Sequence, residues 1–311
     1  MVQCTKVDRC RALDAGVSWC VILKRFMGSK REPIAQSRAR RLLRSALLLT
    51  LVLTAPLAAA AEFVFSITEG ITYYQTNKEI QAKFAPLADL LSKALKQPVR
   101  MVIVSAYNDL RDGLDHQAYD LAFIHPAHVA LAAIKGGKYR SIAWTTGYTD
   151  YSVMLLANKE QPFATLDDLR GRTIVSPDPD SITAWMLRAM LHDQKLKPGD
   201  DLKIITTRYQ DAVPFYVQYG FATVGATAAK AVAKEWTDKG GKVVLTSRPV
   251  PIKQWIVSSK VSAEDADKIR AVLLSVAQSD AGKQALSTLG YKGFVATNHD
   301  DELKAIAWLG L

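Results

Sequence analysis

From Glu62 onward, short runs rich in β-branched and apolar residues alternate with stretches of helical character. "FVFSI" (63–67) leads to a helix over 78–96, begun or kinked at Pro86, and "VRMVIVS" (99–105) leads to one over 107–116. "LAFIHP" (121–126) leads to the helical "AHVALAAIKGG", and "RSIAWTT" (140–146) follows as a strand. Alternation of this kind predicts β-α-β units and a mainly parallel sheet.

The rhythm then restarts. "SVMLLAN" (152–158) precedes "TLDDLRGRTIVS", and "SPDPDSITAWMLRAML" (176–191) prepares and begins a helix. "LKIITT" (202–207), a helix over 210–219, "ATVGAT" (222–227), a helix over 228–239 and "KVVLTS" (242–247) follow, and after "RPVPIKQWIVS" (248–258) the pattern is helical to the end. Two α/β units in about 250 residues predict two lobes, because single cores tend to split near that size. The junctions fall at "YTDYS" (148–152) and "PVPIK" (249–253). The expected division is therefore 62–150 plus 250–311 for the first lobe and 151–249 for the second. Two chain crossings of this kind permit hinge closure over a ligand.

Charge changes the picture at one end only. The 311 residues are 49% hydrophobic and carry a formal charge of +10. Residues 1–61 hold 11 Lys/Arg against three acids, which leaves 29 basic and 27 acidic residues from 62 onward. A basic nucleic-acid partner is therefore not implied. "SRARRLLR" (37–44), the apolar "SALLLTLVLTAPLAA" (45–59) and Ala59-Ala60-Ala61 have the layout of a cleaved export signal, with an uncleaved anchor as the alternative. Met27 would start a signal of ordinary layout, with residues 1–26 lying upstream of it.

All three cysteines, Cys4, Cys10 and Cys20, precede that segment. The chain after it has no disulfide, thiol nucleophile or cysteine metal site, and no cysteine to carry a lipoprotein's acyl chains. A soluble periplasmic protein is the expectation.

The candidate chemistry gathers at strand ends and at one helix mouth. Ser181 and Thr183 stand where a helix N-terminus offers unpaired N–H groups, so they either cap the helix or help to hold an anion. Asp180 beside them would repel an anion unless it turns away or accepts a proton from the ligand. Tyr73, Tyr74 and Tyr107 lie in loops after the first two strands, which in doubly wound lobes face the crevice. His125 ends the third strand and is placed to donate to an oxyanion, whereas His128 packs in the next helical turn. A metal bound by that pair lacks a third ligand. Tyr209 and Gln210, and below them Arg208 and Thr227, are placed to offer donors from the second lobe. Tyr148 and Tyr151 flank a crossing, where hinge packing competes with ligand contact.

Four stretches, 70–114, "YDLAFIHPAHVALA" (119–132), "TLDDLRGRTIVSPDPDSITAW" (165–185) and "SRPVPIKQWIVSS" (247–259), resemble in order the phosphate/phosphite/phosphonate-binding proteins of ABC importers. The resemblance implies two α/β lobes of the type II periplasmic-binding architecture with the ligand between them. The family's Ser-Thr-Ser-Gly step, which holds phosphonate oxygens at a helix N-terminus, reads Ser181-Ile182-Thr183-Ala184 here. Its tyrosine after the second strand matches Tyr107, its Gly-Pro becomes His125-Pro126, and its His-Asp-Ala becomes Gln210-Asp211-Ala212. The carboxylates that hold an amine in aminoalkylphosphonate binders have no match, which implies a ligand without one.

The expected function is capture of a small oxyanion for an ABC importer permease. No catalytic residue, metal or cofactor is implied. One alternative keeps the fold but docks it on a membrane sensor kinase. A remote one is a periplasmic hydrolase using His125, Asp178, Asp180 and Asp211.

Overall fold

A computed structural model describes residues 62–69 and 76–311 of the chain. Its first strand, β1 (Phe63–Thr68), buries Phe63, Phe65 and Ile67 against α1 (Asn77–Leu95). The α1 positions that receive them, Ile80, Phe84, Leu87 and Leu91, recur every three or four residues and so share one helix face. Thr76 and Glu79 form a reciprocal capping box at its start, and Lys96, at φ 56°, ends it in the left-handed region.

Pro86 neither begins nor breaks this helix, contrary to expectation. The carbonyl it leaves without a helical partner, at Ala82, belongs to an exposed residue where water can pair with it.

The chain continues through β2 (Val99–Ile103), α2 (Tyr107–Asp115), β3 (Leu121–Ile124), α3 (Ala127–Lys135) and β4 (Tyr139–Thr145). It then builds a second set: β5 (Met154–Ala157), β6 (Thr173–Ser176), α4 (Ile182–Asp193), β7 (Lys203–Thr206), α5 (Val213–Gln218), β8 (Val224–Thr227), α6 (Lys230–Asp238) and β9 (Lys242–Thr246). The last part holds β10 (Gln254–Ser258), α7 (Ala263–Ser275), α8 (Asp280–Leu289), β11 (Phe294–Val295) and α9 (His299–Leu309).

Two expectations need correction. The helix predicted over 210–219 is a 3-10 turn at Gln210–Ala212 followed by α5, because Pro214 has no N–H to return to the Gln210 carbonyl. The C-terminal region is not wholly helical, since Phe294 and Val295 pair antiparallel with Thr145 and Trp144. A two-residue strand leaves no periodicity to read.

The strands form two sheets, in the orders β11-β4-β10-β3-β1-β2 and β7-β6-β8-β5-β9. β1 pairs parallel with β2 and β3, and β6 pairs parallel with β7 and β8. Each sheet also contains one antiparallel strand between parallel neighbours: β10 between β3 and β4, and β5 between β8 and β9. Both are the strands laid down just after the chain crosses from the other sheet. The crossing segments lie side by side, with the Val250 N–H donating to the Tyr151 carbonyl at 2.9 Å and Ile252 to Tyr148 at 2.8 Å.

Trp255 of β10 anchors the first core. Its fully buried ring lies 5.5 Å from Phe65, 4.9 Å from Phe123 and 5.1 Å from Phe294. The second sheet packs Leu155, Ile174 and Val224 against Met186, Leu187 and Met190 of α4. Ala305, Ile306 and Leu309 of α9 join that cluster together with Ala127 and Leu131 of α3, so α9 packs across both sheets' helices.

Candidate functional site

Parallel strands deliver their C-terminal ends to one edge, and the helices that follow start there. On the second sheet this edge holds the mouth of α4. Asp178 folds the approach: its carboxylate accepts the Asp180 N–H at 2.9 Å and its carbonyl accepts that of Ser181 at 2.9 Å. The Ser181 hydroxyl accepts the Ala184 N–H at 3.2 Å, so in this structure it caps the helix.

Thr183, fully buried, places its hydroxyl 3.2 Å from that of Tyr151. The Gln210 amide nitrogen donates to the same Tyr151 oxygen at 3.2 Å. Its carbonyl accepts the Thr227 hydroxyl at 3.1 Å and the Ala228 N–H at 2.6 Å. A continuous polar chain, Thr183–Tyr151–Gln210–Thr227, thus runs along the sheet edge.

On the first sheet, Tyr107 opens α2, while His125 and His128 bracket the start of α3. Tyr107 meets the His128 ring edge-on at 6.3 Å. Burial, helped by the Lys253 charge, pushes His125 down to about 3, against a smaller opposing pull from Glu69. Burial, with Arg111 and Arg188 nearby, pushes His128 down to about 4 despite Asp180. Both rings are therefore neutral at physiological pH.

The two edges meet directly. Arg111 of α2 donates through both terminal nitrogens to Asp180, one bond measuring 2.8 Å. His128 Nε2 lies 3.6 Å from the same carboxylate, and Trp185 of α4 stacks on the His128 ring. Burial alone would raise the Asp180 carboxyl, but the Arg111 bonds and charge hold it below the ordinary range. The carboxylate beside the helix mouth is thus turned away and neutralised by the opposite lobe.

Beneath His125 lies a buried charged cluster. Glu69, at the end of β1, accepts Lys253 Nζ at 2.8 Å, Lys83 Nζ at 2.7 Å and the Tyr291 hydroxyl at 2.9 Å. Burial would raise this carboxyl, yet the two lysines hold it at about 2. Lys253 also donates to Tyr291 at 2.8 Å, and its Nζ lies 4.8 Å from the ring centres of both Tyr148 and Tyr291.

The sequence-predicted residues therefore separate. Ser181, Thr183, Gln210, Tyr107 and His125 are buried at the facing edges, and Tyr151 and Thr227 join them more centrally than their sequence positions suggested. Tyr209 is 38% exposed, with the Arg208 guanidinium over its ring. Tyr73 and Tyr74 lie outside the described residues.

Arg111, Trp185, Glu69, Lys83 and Lys253 were not singled out from sequence, since nothing in a lone Arg or Lys distinguishes a cross-lobe partner from a surface charge. No group of three or more His, Cys, Asp or Glu among the described residues is placed to hold a metal. A cavity of about 250 Å³ between α2 and α3, walled by Leu114, Val129, Ala132 and Trp185, is largely apolar and lacks the α4 hydroxyls.

Two mixed sheets, crossed twice by the chain and facing each other through helix N-termini, define a two-lobed periplasmic binding protein of the type II architecture. Residues 70–303 match the model of the periplasmic phosphonate substrate-binding protein of ABC transporters, and the chain belongs to that family. Solved structures of the same fold include XAC2383 from Xanthomonas citri bound to ATP, at 15% identity and TM-score 0.67, covering 80% of this chain and 97% of that one. A binding protein component of an ABC phosphonate transporter from Pseudomonas aeruginosa is 17% identical with TM-score 0.56, covering 79% and 85%. PhnD1 from Prochlorococcus marinus, in complex with methylphosphonate, is 15% identical with TM-score 0.58, covering 80% and 97%. No curated relative matches the sequence. Membership makes the chain a periplasmic substrate-binding protein of the ABC-transporter kind.

Proposed function

We propose that the protein captures a small oxyanion of the phosphonate, phosphite or phosphate type and presents it to an ABC importer permease. The carrying observation is the pattern of helix caps. α7, α8 and α9 are capped by the side chains of Ser262, Ser279 and Asn298. By contrast α2, α3 and α6, which follow β2, β3 and β8, start behind Ala106, Pro126 and Ala229 with no side-chain cap, whereas α1 and α4, which follow β1 and β6, are capped by Thr76 and Ser181. The positive dipole ends of α2, α3 and α6 therefore face the strand edge without a capping side-chain acceptor, which is the chemistry an oxyanion needs. The methylphosphonate held by the Prochlorococcus protein supports the same reading.

In this reading residues 62–150 with 250–311 form one lobe and 151–249 the other, and they close about the paired crossings. Ser181, Thr183, Tyr107, His125 and Gln210 line the cleft, with Tyr73, Tyr74 and Tyr209 at its rim. Donors from both lobes replace the ligand's water, and no covalent step is involved. Residues 1–61 supply the export signal, and the exported protein is soluble, without a lipid anchor.

Thermal unfolding of the purified protein against phosphate, phosphite, alkylphosphonates, sulfate and small carboxylates tests the reading. A bound ligand at about 100 times its Kd adds roughly 2.7 kcal/mol of stability. Stabilisation by one oxyanion class, lost in Ser181→Ala/Thr183→Ala, is the expected result. Stabilisation by carboxylates alone, or by nothing in the panel, would overturn it.

A further inference from the structure

The apolar cavity beside the facing edges has chemistry of its own. Its volume is about 250 Å³, and α2 and α3 supply most of its wall. Leu114 and Val129 in that wall are almost fully buried, while Ala132, Ala133 and Gly136 are small where larger side chains would fill the space. Close-packed proteins leave few voids much larger than a water molecule. An apolar cavity of about 150 Å³ is enough to take up benzene, so this one has room for a substituted ring.

Its charges are already matched. Arg111 in the wall is held by Asp180, one bond measuring 2.8 Å, and Lys138 lies 3.1 Å from Asp115, which lines the cavity with it. His128, which also lines it, is neutral at physiological pH. A charged occupant would have to break one of these pairs or stay unpaired against apolar wall, whereas an uncharged one faces neither cost. The half-buried indole of Trp185 completes the lining and gives an aromatic occupant a ring to pack on. Trp185 comes from α4, on the other side of the boundary between the two sheets' helices, so an occupant touches both sides at once.

We infer that this cavity is an accessory site for a small uncharged aromatic molecule, and that its occupant holds α4 through Trp185 against α2 and α3. The site does not depend on the oxyanion reading, since it uses neither the α4 hydroxyls nor the uncapped helix mouths.

Benzyl alcohol, benzoate and benzylammonium present one ring with no charge, a negative charge and a positive charge, and cyclohexylmethanol presents the uncharged saturated counterpart. Each is titrated into the full-length mature protein at neutral pH and followed by methyl NMR. Benzyl alcohol should bind saturably, with nuclear Overhauser contacts to the methyls of Leu114 and Val129. The two charged probes should bind about tenfold more weakly, and cyclohexylmethanol severalfold more weakly. Ala132→Phe, at an exposed helix position, fills the cavity and should abolish benzyl alcohol binding. Trp185→Ala removes the wall that α4 supplies and should weaken binding about tenfold.

The methyl contacts are read on the wild type and so do not depend on how any variant folds. No binding of benzyl alcohol, contacts to other methyls, or binding that survives Ala132→Phe overturns the site. Charged probes that bind as well as benzyl alcohol overturn the uncharged class, and cyclohexylmethanol binding as well overturns the aromatic one. Unchanged affinity in Trp185→Ala overturns the bridging role. None of these results touches the oxyanion reading, which the thermal unfolding panel tests separately.

Discussion

Trp185 of the second lobe lies flat against His128 of the first, ring centres 5.0 Å apart and planes within 15° of parallel. The stack exists only while the lobes are together, so the indole reports closure. Ligand should change tryptophan emission in the wild type, and Trp185→Phe should remove most of that change. An unchanged ligand response in the variant would place the reporting indole elsewhere.

Arg111 and Asp180 are each about one-third exposed, so the pair is worth about 1 kcal/mol, within reach of solvent screening. Its larger effect is on the helix mouth. Arg111→Ala leaves a carboxylate uncompensated beside Ser181 and should weaken oxyanion binding about tenfold. Arg111→Ala/Asp180→Ala should regain most of the loss. Calorimetric affinities of the two single variants and the double variant check this, and additive losses would contradict it.

Gln210 is the joint of the second lobe's polar chain. Gln210→Leu keeps the volume but leaves Thr227, the Ala228 N–H and Tyr151 short of a partner, which should cost about 2 kcal/mol. Thermal or denaturant unfolding measures it. A cost near zero would show that water replaces the amide.

Acid should act through the two histidines before the carboxylates. Both are held neutral, at about 3 and about 4, so the unfolded chain binds more protons than the fold below the ordinary histidine value of 6.5. Stability is therefore complete above about pH 6.5 and falls with pH toward the folded values, by an amount on the order of a few kcal/mol. Glu69, held at about 2 against an ordinary 4.5, adds a second loss in the same direction below that ordinary value. His128→Gln should flatten the first part of the curve in denaturant titrations at stepped pH.

The strand and helix alternation was legible in the sequence because Phe63, Phe65, Ile67 and the α1 stripe from Ile80 to Leu91 follow strict periods. Ser181, Thr183 and Gln210 were legible as polar strand-edge residues for a different reason: small hydroxyls and an amide stood where a strand gives way to a helix. What the sequence hid depends on distance along the chain. Arg111 and Asp180 are 69 residues apart, and Lys253 and Glu69 are 184 apart, so no local pattern pairs them. The antiparallel sense of β10 was hidden too, because "QWIVS" reads as a buried strand in either direction.

That strand has a bearing on synthesis. The first sheet cannot be finished from the segment that begins it, since β3 and β4 are joined only through β10, and β10 is made about a hundred residues after β4. The emerging chain holds an open gap in its first sheet until Ser258 is available, by which time every strand of the second sheet has been supplied. The half that starts first is completed last, and a chain cut anywhere between the two crossings yields neither half as a closed sheet with its own core.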